Sequence, residues 1–136
     1  MNNKYGSDNI IILFGLPGAF TSTCSKLHLP GYVDNADKIK SKGIEKIFCL
    51  SVNDPFVMNA WGEAKNAAGK ITMLSDPYLL FTKAIGAEVD RNSKGMGIRS
   101  NRYAMVIENL EVINIHVEKE TKQCGLSSAE GVLDLL

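Results

Sequence analysis

The chain has 136 residues, with 15 Lys plus Arg against 15 Asp plus Glu, and a hydrophobic fraction of 45%. That length and composition suit one domain with a real core, expected to cover residues 1–136. Zero formal charge argues against a nucleic-acid footprint or a polybasic membrane anchor.

The N-terminus, MNNKYGSDNIIILFGLPG, has an apolar run far too short to span a bilayer. It also lacks the charged start and cleavage site of a signal peptide. The expected location is therefore cytoplasmic, with an organelle as the alternative if the N-terminus is truncated. Three cysteines without a secretory signal point to reduced thiols rather than a disulfide framework. Residues 1–9 are expected to be disordered or foreign to the natural protein.

Residues 10–14, IIILF, form an apolar run closed by Gly15 and Pro17, which predicts a buried strand. Thr21, Ser22 or Thr23 then caps a helix that continues through Cys24 and His28 towards Lys42. Pro30-Gly31 predicts a kink or break in it, and Gly43 its stop. Residues 44–52 read as a second buried strand. Asn53 or Asp54 caps the next helix, with Pro55 at its first position and Phe56, Ala60, Ala64 and Ala67 at helical spacing. Residues 70–74 read as a third strand, and DPYLLFTKAIGA repeats the cap-Pro-helix-Gly grammar. RYAMVIE and EVINIHV flank Asn109-Leu110 as a hairpin. SSAEGVLDLL is a helix capped by Ser127 or Ser128. This order predicts an α/β fold, parallel early and antiparallel late, and a thioredoxin-like sheet fits it.

In such a sheet, a strand-to-helix turn lies at the carboxyl edge, where active sites collect. Cys24 at the start of the helix would meet free N–H groups and the positive end of the helix dipole, which favour a thiolate. Ionisation alone gives only about a thirtyfold gain, so a second element must polarise the electrophile, and the hydroxyls of Thr21, Ser22 and Thr23 are candidates. The alternative is that these hydroxyls only cap and that Cys24 is a small buried residue. Cys24 and His28 share a helix face, as a nucleophile–base pair or half a metal site would. The only other histidine is His116, and no CxxC or CxxH pair exists, which weighs against a metal. A papain-like hydrolase would need a longer chain.

The segment PGAFTSTCSKLHLPGY (17–32) resembles the active-site motif of peroxiredoxins, Pro-x-x-x-Thr-x-x-Cys, with Pro17, Thr21 and Cys24 in register. Its longer form resembles the peroxiredoxin 5, or type II, subfamily, as do CLSVNDPFVMNAWG (49–62), GMGIRSNRYAMVIE (95–108) and the C-terminal SSAEGVLDLL. The resemblance implies a thiol peroxidase on a thioredoxin-like fold, a central mixed sheet flanked by helices, with no metal or organic cofactor. It implies that Cys24 attacks a hydroperoxide and becomes a sulfenic acid. Thr21 would hydrogen-bond thiolate and peroxide, Arg102 would stabilise the developing charge, and Pro17 would shield the site. His28 is expected to be polar packing near the site rather than a base. Ser22 stands where relatives usually have Pro, and the family's N-terminal strand pair is expected to be missing.

Cys49 and Cys124 are the candidate resolving cysteines. Apolar neighbours favour burial of Cys49, and Cys124 lies in the polar loop EKETKQCGLSS, read as more exposed. The favoured reading is a one-cysteine mechanism with glutathione and glutaredoxin, or thioredoxin, as external reductant. A homodimer is expected through Phe20, Phe81 and the DPYLLF segment. A non-enzymatic peroxide sensor and a general thiol-disulfide oxidoreductase are the alternatives, the second disfavoured by the missing CxxC.

Overall fold

The computed structural model describes residues 9–136. The expectations for residues 1–8, including the missing strand pair, lie outside the described residues. Five strands form one mixed sheet in the order β3-β2-β1-β6-β7. Strand β1 (Ile10–Leu16) pairs in parallel with β2 (Lys46–Ser51), which pairs in parallel with β3 (Thr72–Ser75). On its other edge β1 meets β6 (Tyr103–Glu108) antiparallel, and β6 turns into β7 (Glu111–Val117). The predicted hairpin is present: Asn109 and Leu110 both have positive φ, 49° and 70°, as a tight hairpin turn requires. A second sheet, β4 (Glu88–Asp90) with β5 (Ile98–Ser100), has no apolar run and is not legible in the sequence.

Strand alternation divides the core between the two faces of the sheet. Ile10, Ile12, Phe14 and Leu16 face one cluster, with Ile47 and Cys49 of β2 and Ala104 and Val106 of β6. Helices α1 (Leu29–Lys40), α2 (Pro55–Ala64) and α4 (Ala129–Leu133) contribute to the same cluster through Tyr32, Trp61 and Val132 among others. Leu13, Leu50, Tyr103 and Met105 face the opposite cluster, against which Phe81 and Ile85 pack from the region of α3 (Leu80–Ala84). Gly15 lets the Tyr103 ring lie on β1, since a Cβ there would sit 2.1 Å from that ring.

Four local expectations need correction. Pro30-Gly31 does not break the first helix. Helical structure runs from residue 22 to 40, and its irregularity is a π turn at Cys24–His28, where the Leu29 N–H bonds the Cys24 carbonyl. Proline has no N–H and crowds the carbonyl four residues back, so the widened turn just before Pro30 accommodates it. Thr23 is already helical at the head of that turn (φ −66°, ψ −37°) and makes no side-chain cap. Helix α2 is capped as expected, Asp54 accepting from the Val57 N–H, but it ends at Ala64 and buries Met58, Trp61 and Gly62. Phe56, at 86% exposure, Ala60 and Ala64 face out. Pro77 does not open α3. Leu79 precedes α3 with φ 64°, and Asp76 reaches past it to accept from the Phe81 and Thr82 N–H groups and the Thr82 hydroxyl. Ser128 caps α4 through the Gly131 N–H.

Candidate active site

The turn after β1 is pinned before it reaches the cysteine. Asn53 Oδ1 accepts from the Ala19 N–H at 2.9 Å and lies 2.8 Å from the Ser51 hydroxyl, which is itself 3.2 Å from the Leu16 carbonyl. Phe20 takes φ 64°, a costly conformation for a bulky residue, at the corner of this turn. The Thr21 hydroxyl donates to the Gly18 carbonyl at 2.7 Å instead of capping, which fixes its oxygen with acceptor capacity to spare. The Ser25 hydroxyl accepts from the Trp61 indole at 2.9 Å, tying the π turn to α2.

Cys24 is completely buried and belongs to the core cluster beneath the turn. Beside the turn that carries it opens a cavity of about 630 Å³ lined by Pro17, Thr21, Ser22, Thr23 and Arg102, with loop residues from 89–96 and 119–122. Four segments far apart in the chain thus meet at one place. The structure brings Pro17, Thr21 and Arg102 to that cavity; Cys24 lies in the turn whose hydroxyl residues line it.

Arg102 is 3% exposed and held on all sides. Its Nη1 donates to His28 Nδ1 at 3.0 Å and its Nε to the Thr121 carbonyl. Its backbone N–H donates to Asn101 Oδ1, and its carbonyl accepts from the Glu118 N–H. His28 Nε2 lies 3.0 Å from the Ser127 carbonyl. With a carbonyl at one nitrogen and a guanidinium donor at the other, the network assigns the neutral tautomer protonated at Nε2. Burial, and then the Arg102 charge, lower the His28 pKa to about 4. A neutral imidazole whose free lone pair is taken by Arg102 cannot serve as a base, so His28 is a buffer between the arginine and the core.

The loop 118–127 is organised by one buried carboxylate. Glu118 Oε2 accepts from the Gly125 N–H (2.7 Å), the Ser127 N–H (2.9 Å) and the Ser127 hydroxyl (2.6 Å). Burial alone would raise its pKa, but these hydrogen bonds outweigh it and hold the carboxyl below the usual range. Glu118 thereby fixes the loop whose Thr121 and Ser127 carbonyls hold Arg102 and His28. The sequence carries no signal for Glu118, Thr121 or Asn101. Their roles come from backbone carbonyls and loop geometry. Asn53 lies within the block 49–62, where the sequence suggests only a helix cap.

Cys49 is buried on the same sheet face as Cys24, opposite Phe14 in the β1–β2 register. Burial, with the nearby Cys24, pushes its pKa well up. Cys124 is half-buried rather than exposed. Burial pushes its thiol up to about 11, against the opposing pull of Arg102. Among the described residues the three cysteines are free, no cluster of His, Cys, Asp and Glu could hold a metal ion, and no helix is long and apolar enough to cross a membrane.

A mixed thioredoxin-like sheet that delivers a cysteine at a helix head, under a cavity floored by a buried arginine, defines a thiol-redox protein. Residues 4–133 match the Redoxin family. Peroxiredoxin-2D of Arabidopsis thaliana is 46% identical over 126 residues, covering 93% of this chain and 77% of that protein. The structure of reduced Prx3 from Vibrio vulnificus, in complex with hydrogen peroxide, superposes with a TM-score of 0.89 at 48% identity, covering 98% of this chain and 85% of that one. Peroxiredoxin 5 from Alvinella pompejana superposes with a TM-score of 0.75 at 39% identity, covering 83% of this chain and 73% of that one. The chain belongs to the Redoxin family and, within it, to the peroxiredoxins. It is an oxidoreductase of the peroxidase class.

Proposed function

We propose that the protein reduces hydrogen peroxide and organic hydroperoxides through a sulfenic acid at Cys24. The observation that carries this reading is the convergence of Thr21 and Arg102 on the cavity above the Cys24 turn. The Cys24 sulfur attacks the terminal peroxide oxygen, an S–O bond forms and the O–O bond breaks. The sulfur loses two electrons, the peroxide gains them, and the departing alkoxide or hydroxide takes up a proton. Charge develops on the leaving oxygen, where a fixed guanidinium stabilises the transition state more than the ground state. Arg102 suits this because its Nε and one Nη are held by Thr121 and His28, so its remaining donors are aimed before substrate arrives. Thr21, its hydrogen committed to Gly18, offers its oxygen to the peroxide hydroxyl. Pro17, without an N–H, lines the cavity and narrows it.

The reductant is an external thiol, glutathione with glutaredoxin or thioredoxin. It condenses with the sulfenic acid to a mixed disulfide with loss of water, and a second thiol frees Cys24. Burial pushes the Cys49 thiol well up, and a Cys124 thiol with a pKa near 11 is likewise a poor attacking group at neutral pH. Phe20, Phe56, Tyr78 and Leu80 are exposed apolar residues that a homodimer would cover, while Phe81 packs on the second core cluster instead. The test is one equivalent of hydrogen peroxide in the presence of a sulfenic-acid trap, read by peptide mass spectrometry. The adduct is expected on Cys24 alone, and an adduct only on Cys49 or Cys124 would refute the assignment.

A further inference from the structure

The cavity holds far more charge and room than hydrogen peroxide needs. Its volume of about 630 Å³ is on the order of twenty times the ~30 Å³ share of a water molecule, so hydrogen peroxide would fill only a small part of it. Five basic and two acidic side chains line it. Lys122 and Glu120 pair with each other at 3.3 Å, and Asp90 Oδ1 accepts from the Asn92 N–H. Arg91, Lys94, Arg102 and Lys119 have no carboxylate within ion-pair distance among the described residues.

Arg91 is the informative member of this set. Its Nη1 donates to the Thr121 hydroxyl at 2.9 Å, and Thr121 also gives its carbonyl to Arg102 Nε. One residue therefore anchors two guanidinium groups on the same cavity. The Arg91 Nε is buried with no hydrogen-bond partner, an arrangement that costs stability unless a ligand or water meets it. The peroxide reaction uses only one arginine. The second lines the same cavity as Lys94, and neither has an acidic partner among the described residues. Val89, Met96 and Pro17 supply apolar wall between them.

Resting on the peroxidase reading, we propose that Arg91, assisted by Lys94, is a carboxylate subsite, and that the preferred substrates are organic hydroperoxides that carry a carboxylate. The hydroperoxide end lies at Thr21 and Arg102 and the carboxylate at Arg91. The substrate is the occupant because Arg91 lines the same cavity as Thr21 and Arg102, the two groups that meet the hydroperoxide.

The test is single-turnover oxidation of Cys24, which removes the reductant from the measurement. Cumene hydroperoxide bearing a ring carboxylate is compared with the methyl ester of the same compound, which is uncharged and larger by one methyl group. The acid is expected to react about tenfold faster at low salt, with the preference shrinking as salt rises. The acid-to-ester ratio is expected to fall towards one in Arg91→Gln, and to fall partly in Lys94→Gln. The second variant carries the test if the first does not fold, since Lys94 is exposed. A ratio near one in the parent protein, or a ratio unchanged in both variants, overturns the subsite. Failure of the parent to react with hydrogen peroxide or either compound would instead overturn the peroxidase reading, and the subsite with it.

Discussion

Arg102 Nη1 donates to His28 Nδ1 at 3.0 Å, with both side chains almost wholly removed from water. The histidine comes from the helix that carries Cys24, and the arginine immediately precedes β6. This one bond couples the thiol's helix to the guanidinium across the site. It requires His28 to be neutral, since a protonated Nδ1 would turn an acceptor into a second donor facing a cation.

That requirement sets an acid sensitivity. The His28 pKa is lowered to about 4 in the folded protein, from 6.5. The folded state therefore binds its proton less readily than the unfolded chain does. The stability this confers is complete above pH 6.5 and is lost progressively as pH falls towards 4, amounting to about 3 kcal/mol. Urea midpoints measured between pH 7 and pH 4 are expected to fall over this window. Below it Glu118 and Asp76 add their own loss, because their carboxyls are held below their usual values and are protonated last. In His28→Asn the loss between pH 6.5 and 4.5 is expected to be largely absent.

Removing the arginine tests the electrostatic step. Arg102→Ala is expected to slow Cys24 oxidation by about 10² to 10³, the scale of a lost oxyanion donor. The second-order constant for hydrogen peroxide is the quantity to measure. Arg102→Lys should recover little, because a lysine cannot hold both Thr121 and His28 and still point donors into the cavity.

Glu118 acts at one remove. Glu118→Ala leaves the Gly125 and Ser127 N–H groups without their acceptor and is expected to destabilise the protein by about 2–4 kcal/mol. Peroxide reactivity should fall as well, because the loop that supplies the Thr121 carbonyl loosens. A double-mutant cycle with Arg102→Ala on the oxidation rate should show clear non-additivity, whereas independent effects would mean that Glu118 only stabilises the loop.

Cys124→Ser is expected to leave turnover with an external thiol unchanged within about twofold, since the native thiol is mostly protonated at neutral pH. Loss of turnover, together with a Cys24–Cys124 disulfide by mass spectrometry, would show an internal resolving step instead.

Much of the fold was readable because the main strands are apolar runs bounded by turn residues, Gly and Pro after IIILF and Asn109 after RYAMVIE. Asp54-Pro55 and Ser128 announced their helices through caps that the structure retains. The β4–β5 pair escaped because three-residue strands are too short to show a periodicity. Pro30 signalled a real disturbance, but the chain absorbed it one turn earlier as a π turn. Pro17, Thr21, Cys24 and Arg102 could be marked from the sequence because reactive side chains form a motif. Thr121 holds Arg102 with a carbonyl that any residue could supply, and Glu118 works by ordering a loop, so neither leaves a compositional trace.

The central claim is that the assembled site makes Cys24 a peroxide-reactive centre. Its most direct measurement is stopped-flow oxidation of the reduced protein by hydrogen peroxide, in parallel with Cys24→Ser. The account predicts oxidation many orders of magnitude faster than a free thiol, abolished in Cys24→Ser. A rate like that of free cysteine, or a fast phase that survives the substitution, would contradict it.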